Sequence, residues 1–561
     1  MAKGLGGGLT NYGDAGFAAY LRRSFARSMG YSGEMLRRPV VGMTWTASGF
    51  NNCHRGVPEL VEAVKRGVIA AGGLPLEFPV ISLGEVFLTP TSLMFRNLMA
   101  MDVEEMIRAQ PMDSVVLVGG CDKTVPALMM GAASAAKPAI LLVTGPMMTG
   151  RHRGERLGAC TDCRRFWAQY RAGKVDEAGI EAVEARLATT AGTCAVMGTA
   201  STMAILAETL GLTLPGTAAI PAVHADRLRA AEATGRRAAE MAEGGPTIER
   251  IVTQASLDNA LAMLLAVGGS TNAVVHLAAF AGRLGLRLDF DRLNRISDET
   301  PVLVDLKPTG ENYMEDFFAA GGVPAMLRRL KDRLDLSAAT VTGETLADWI
   351  VDDWSDPAII RPVDDTISAQ GGLVALFGSL APNGAILKRA AADPAMFERT
   401  GRAVVFESLD DLARRIDDPD LDVTADDFLV LKNAGPRACG MPEAGYLPIP
   451  AKLARAGVKD MVRLSDARMS GTAFGTVILH ISPEAAAGGP LAFVRQGDLI
   501  RLSVRQRRLD LLVDEAELAR RRQGFTPPVL ISGDRGWAKL YREQVTQAED
   551  GCDLAFLRRQ P

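Results

Sequence analysis

Cysteine is scarce in this chain, seven in 561 residues, and the seven are scattered and odd in number. That excludes the disulfide framework of a small secreted domain and fits a reducing cytoplasm. A basic excess is also lacking. With a net charge of −4, the chain has none of the electrostatic footprint of nucleic-acid or membrane-surface binding. Local clusters such as Arg151-His152-Arg153 and Arg520-Arg521-Arg522 read as solvated faces. The start, Met1-Ala2-Lys3-Gly4 through Leu9, has no apolar leader segment. No uninterrupted apolar run reaches the roughly 20 residues a membrane span requires. The most apolar stretch, Leu261 to Gly282, is broken by Gly268-Gly269-Ser270-Thr271-Asn272 and contains His276, so it reads as a buried helix–loop–helix. Internal repeats and low-complexity segments are absent too.

What is present is the composition of a soluble globular protein, 48% hydrophobic and 23% charged, too long for one ordinary core. The first two-thirds alternates strand and helix patterns. Val40–Trp45 and residues 76–81 read as strands, and residues 57–68 carry apolar side chains at helical spacing. Residues 114–118, 125–136 and 139–144 form a β-α-β unit, hence a parallel sheet with covering helices. Residues 195–210 read as a long helix opened by Cys194. After about Asp364 the texture becomes short β-prone runs separated by turn residues, the pattern of a barrel or sandwich. The boundary falls between Asp353 and Gly372. This gives an α/β domain over residues 1–364 and a mostly-β, barrel-like domain over 365–561.

Three cysteines, Cys53, Cys121 and Cys194, sit where an apolar strand or loop gives way to a helix. A helix start lowers a thiol's pKa and favours the thiolate that ligates metal or attacks an electrophile. Cys121 lies in Gly119-Gly120-Cys121-Asp122-Lys123-Thr124, directly after a strand, where ligands gather in open parallel sheets. Cys160 and Cys163 form a C-x-x-C, but no second pair supports a zinc site. They are assigned to the surroundings of the site or to structure, and Cys439 and Cys552 are incidental. The Gly268–Asn272 loop fits no phosphate-binding pattern and reads as a tight connection between helices. His54, His152 and His276 are candidates for substrate hydroxyl contacts, with a structural role the better reading of each.

Five segments occurring in this order, Phe50-Asn51-Asn52-Cys53, Gly119 through Lys123, Ala191-Gly192-Thr193-Cys194 through Ala200, Gly440-Met441-Pro442-Glu443 and Met469-Ser470-Gly471-Thr472, give the whole chain a resemblance. It resembles the dihydroxy-acid and sugar-acid dehydratases, iron–sulfur enzymes that remove water from 2,3-dihydroxy carboxylates. Residues 81–88, with Gly84-Glu85, and Gly158 through Trp167 resemble the pentonate branch, the L-arabinonate and D-xylonate dehydratases. The branched-chain branch carries an aspartate-containing segment near position 85, a departure here.

The resemblance implies a residue set. Cys53, Cys121 and Cys194 match the cluster ligands, with a 2Fe-2S cluster suggested by the branch. Glu85, Asp122 and Glu443 match carboxylates that hold Mg2+, and Lys123 matches a lysine carboxylated in this family. Ser470 matches the base, and Thr472 is given a substrate-orienting role. Such chemistry needs a hard cation to stabilise the enediolate-like charge and an iron with a vacancy to hold the departing hydroxyl; a fourth cysteine ligand would point to electron transfer instead. The resemblance also implies an aldonate substrate, a homodimer or homotetramer, and a site in the cleft between domains. The rivals are the branched-chain dihydroxy-acid dehydratase, a phosphogluconate dehydratase, and a non-catalytic iron–sulfur sensor. The sensor would be expected to lack Ser470 or the carboxylates.

Overall fold

The protein is described from a computed structural model covering residues 4–9, 13–351, 354–443, 447–528, 531 and 533–559. Its first sheet has four parallel strands, β1 (Val40–Trp45), β2 (Leu74–Pro79), β3 (Ser114–Gly119) and β4 (Ala139–Val143). They lie in the order β2-β1-β3-β4. Every residue of β3 and β4 is buried, as expected of strands covered by helices on both faces. The chain runs from β1 to one side to make β2, then returns past β1 to make β3. The carboxyl ends of β1 and β3 therefore flank a topological switch point, where α/β sheets open a crevice for ligands.

The Val57–Ala70 helix buries Val57, Leu60, Val61, Val64 and Val68, the residues its apolar spacing predicts. It crosses the Ala225–Met241 helix through two glycines. A Cβ on Gly67 would stand 1.9 Å from the Glu232 carbonyl oxygen, and one on Gly235 2.2 Å from that of Val64. Gly67→Ala is therefore expected to lower stability by about 1–3 kcal/mol, read as a fall in the urea midpoint, because backbone on the facing helix has to move.

One helix differs from expectation. It starts at Thr199 and ends at Thr209, so Cys194 precedes it by a short irregular segment. The backbone of that segment is committed elsewhere: the Ala195 N–H donates to the Ala159 carbonyl (3.0 Å) and Met197 N–H to Lys307 (2.9 Å). The apolar 261–282 stretch is, as read, two buried helices, Gln254–Ala266 and Asn272–Arg283, joined by the glycine-containing loop. Among the described residues no helix is long and apolar enough to cross a membrane.

Asp353, one end of the interval expected to hold the domain boundary, lies outside the described residues. The chain beyond it still pairs with the first domain, Ile360 with Val304 and Ser368 with Val302. The second sheet has eight strands: β5 (Val374–Leu376), β6 (Gly384–Leu387), β7 (Glu398–Phe406), β8 (Phe428–Leu431), β9 (Arg463–Ser465), β10 (Val477–Ser482), β11 (Leu499–Ser503) and β12 (Arg508–Leu511). The order is β12-β11-β7-β8-β9-β10-β6-β5. Phe377, just past β5, bridges to Arg508 on β12 and nearly closes the barrel. The strands from β7 to β10 are mutually parallel, so this domain too presents the carboxyl ends of parallel strands.

Candidate active site

Both sets of strand ends contribute. Cys53 lies in the 3-10 turn Asn52–His54 after β1, and Cys121 follows β3. A Cβ on Gly120 would stand 1.8 Å from the Thr144 hydroxyl oxygen, so only glycine lets that turn close against β4. His54 ties the two segments together. Its Nε2 accepts from the N–H groups of Gly120 (3.0 Å) and Cys121 (3.2 Å), and its Nδ1 lies 2.8 Å from the Thr46 carbonyl. Burial pulls its pKa down to about 4. It is a neutral structural histidine. His276 is likewise engaged in the core, its Nδ1 3.0 Å from Arg96, and His152 packs edge-on to Phe166.

The thiols differ from expectation in their ionisation. Cys53 is pushed up by its hydrogen bond with Cys121 and by burial, and Cys194 by its hydrogen bond with Cys160 and by burial. Neither opens an α-helix, so no helix terminus offsets those effects. Cys160 is instead held low, hydrogen-bonded by Cys163 and Cys194. The Asp122 charge acts on both Cys53 and Cys194, which places thiols and carboxylates in one site.

The carboxylates surround two buried cations. Arg468, 1% exposed, reaches Glu443 Oε1 at 2.8 Å and Glu85 Oε1 at 2.9 Å. Lys123 Nζ, 0% exposed, lies 3.1 Å from Glu85 and 3.6 Å from Asp122. Ser92 donates to the second Glu85 oxygen. Burial alone would raise the Glu85 pKa, but Arg468 and Lys123 hold it well below the usual carboxylate range. Asp122 is pushed up to about 7, by burial first and then by the charges of Glu85 and Glu443.

Among the described residues no three His, Cys, Asp or Glu side chains surround a single point as around one ion; Lys123 and Arg468 stand between the carboxylates. The donor set nevertheless fits a hard cation. Glu85, Asp122 and Glu443 supply oxygen ligands, and Lys123 Nζ is buried with no hydrogen-bond partner. A buried amine so placed is costly, and carboxylation would turn it into a fourth anionic oxygen donor.

The Ser470–Thr472 turn follows β9. Ser470 Oγ and Thr472 Oγ1 are 2.8 Å apart, and Arg164 Nε donates to Thr472 Oγ1 at 3.3 Å. The turn is clamped on two sides. A Cβ on Gly471 would lie 2.5 Å from Ser270, so the Gly268–Asn272 loop buttresses it, and Lys388 Nζ donates to the Gly471 carbonyl at 3.0 Å. A Cβ on Gly198 would meet Thr472 at 3.1 Å, joining the turn to the segment after Cys194.

Arg468, Lys388 and Arg164 escaped the sequence reading, although two of them carried a signal. Arg468 sits in an otherwise buried run, Met461–Met469, and Lys388 ends the buried strand β6. Burial pulls Lys388 down to about 7 from 10.5. Between those values the folded protein binds fewer protons there than the unfolded chain, so the cost of burying the charge is full below pH 7 and fades as pH rises toward 10.5. Lys388→Met is therefore expected to gain stability over the parent at pH 7, with the gap closing by up to about 1.4 kcal/mol per pH unit, read from urea midpoints at pH 7 and 10.

Carboxylates, thiols and a hydroxyl turn gathered between an α/β sheet and a barrel define a dehydratase of the hydro-lyase class once the relatives are considered. The chain belongs to the dihydroxy-acid/6-phosphogluconate dehydratase family, matching its N-terminal domain over residues 38–349 and its C-terminal domain over 358–552. It is 45% identical over 553 residues to an L-arabinonate dehydratase of Rhizobium leguminosarum bv. trifolii, covering 98% of this chain and 95% of that protein. It is 47% identical over 549 residues to an L-arabonate dehydratase of Azospirillum brasilense (96% and 94%). A dihydroxy-acid dehydratase of Caldicellulosiruptor bescii is more distant, 37% identical over 550 residues (96% and 98%).

Proposed function

We propose that this protein dehydrates a pentonate such as L-arabinonate or D-xylonate across C2–C3, giving the 2-keto-3-deoxy acid. Cys53, Cys121 and Cys194 would hold a 2Fe-2S cluster, and Glu85, Asp122, Glu443 and a carboxylated Lys123 would hold Mg2+. When bound, these groups supply Lewis acidity toward the substrate's carboxylate and hydroxyl oxygens. The protein's own part is proton handling and orientation. Ser470 Oγ takes the C2 proton. Its alkoxide is favoured by the Thr472 hydroxyl, which donates to it while accepting from Arg164, and by the Lys388 charge on the far side of the turn. The enol left by loss of the C3 hydroxyl then ketonises.

The observation that carries this reading is Arg468. It holds Glu85 of the first domain and Glu443 of the second on one guanidinium, two residues before Ser470. The test is an anaerobic assay with Mg2+ for release of 2-keto acid. L-Arabinonate or D-xylonate is expected to be turned over at least about 100-fold more efficiently than 2,3-dihydroxyisovalerate, a difference of about 2.7 kcal/mol at the transition state. Preference for the branched-chain acid would assign the protein to amino-acid synthesis instead.

A further inference from the structure

The proposed reaction leaves Cys160 without a task, yet its placement is specific. Its Sγ lies 3.4 Å from Cys194 Sγ, and the backbones of the two segments are tied by the Ala195 N–H to Ala159 carbonyl bond. The segment is anchored from behind by buried Asp162. That carboxylate accepts from Gly158 N–H (2.8 Å), the Tyr313 hydroxyl (2.9 Å) and Lys307 Nζ (3.1 Å). Cys53 and Cys121 form a second hydrogen-bonded thiol pair, and Cys53 is close enough to Cys160 and Cys194 for their charges to act on one another. The four sulfurs thus form two facing pairs.

Two thiolates sharing one tetrahedral metal, with bonds of about 2.3 Å, stand about 3.8 Å apart. The Cys160–Cys194 separation is close to that. A two-iron cluster bound by protein alone takes two thiolates per iron, whereas three cysteines leave one position for another ligand.

We propose that Cys160 is a fourth thiolate ligand of the cluster, on the iron that carries Cys194, in the substrate-free protein, and that it yields this position to the 2,3-dihydroxy acid. The inference rests on the iron–sulfur reading given above. The exchange changes no oxidation state: Cys160 departs as a thiolate, keeping its hydrogen bond from Cys163. A ligand of this kind would shield the cluster between turnovers without closing it to substrate.

The test is pulsed iodoacetamide labelling under anaerobic conditions, with each cysteine quantified by mass spectrometry. Cluster-loaded protein is compared with chelator-stripped protein, and loaded Ser470→Ala protein is labelled with and without L-arabinonate. Cys160 is expected to label at least about ten-fold more slowly in loaded than in stripped protein, as Cys194 does, and to regain its reactivity when L-arabinonate is present while Cys53, Cys121 and Cys194 stay protected. Cys160→Ser is expected to shift the visible circular dichroism of loaded protein, and Cys163→Ser to leave its band positions in place. Equal labelling of Cys160 in loaded and stripped protein, with the other three protected, would overturn the fourth ligand and leave the three-cysteine reading standing. An unchanged spectrum in Cys160→Ser would do the same. Purified protein that binds neither iron nor sulfide, with all four thiols equally reactive, would overturn both.

Discussion

Ser470→Ala is expected to lower kcat by about 10²–10⁴-fold, the range for removing a positioned base, while iron and sulfide content and the visible spectrum stay unchanged. The direction of the hydrogen bonds around the turn is the reason. Arg164 has only donors to offer, so Thr472 Oγ1 accepts from it and turns its own O–H toward Ser470, 2.8 Å away. A hydroxyl that accepts from a neighbour and faces a cation across its own turn is biased toward its anion. Thr472→Val removes the donor but not the base, so it is expected to cost less than Ser470→Ala. Loss of the spectrum in Ser470→Ala would move the residue from chemistry to cluster architecture.

Much of the scaffold was legible because its signals are local. The apolar spacing of Val57, Leu60, Val61, Val64 and Val68 is a periodicity that burial then satisfies. The all-apolar runs of β3 and β4 announce strands covered on both faces. The carboxyl end of β3 announced a ligand position through Gly119-Gly120-Cys121, since two glycines before a polar triplet at a strand end have little other use. The helix expected from Ala195 failed because its first backbone donors go to Ala159 and Lys307, partners brought in only by the fold. The thiol ionisation failed for a related reason. A helix terminus is visible in sequence, but a second thiol at 3.4 Å is not. β5 and β6 were missed because strands of three and four residues carry too little periodicity to distinguish from turns.

The residues of the site that sequence left unread are those whose meaning is a long-range pairing. Glu85, Thr91, Met441, Glu443 and Arg468 are spread over the two domains, and Arg468 alone makes them a unit. Lys388 acts on Gly471 from across the barrel. Such residues look like ordinary surface charges until burial shows that they have no water to pair with.

Arg468→Met is expected to have the largest effect on stability. Four groups depend on that guanidinium: the Met441 carbonyl (2.9 Å), Glu443 (2.8 Å), Glu85 (2.9 Å) and Thr91 (3.1 Å). Removing one partner of a buried charge set costs about 3–5 kcal/mol, because the remaining charges stay buried. The pH dependence identifies that cause. With Arg468 present, Glu85 is held well below its usual range, so its contribution is in place above about pH 4.5 and is lost only on strong acidification. Without Arg468, burial raises Glu85 instead, and the variant is expected to lose stability relative to the parent as pH rises from 5.5 to 8. Mg2+ is expected to restore part of the loss at pH 8, since a divalent cation among Glu85, Asp122 and Glu443 would supply charge that the arginine no longer provides. A deficit independent of both pH and Mg2+ in urea unfolding would mean that Arg468 acts through packing alone and that the three carboxylates do not share a cation.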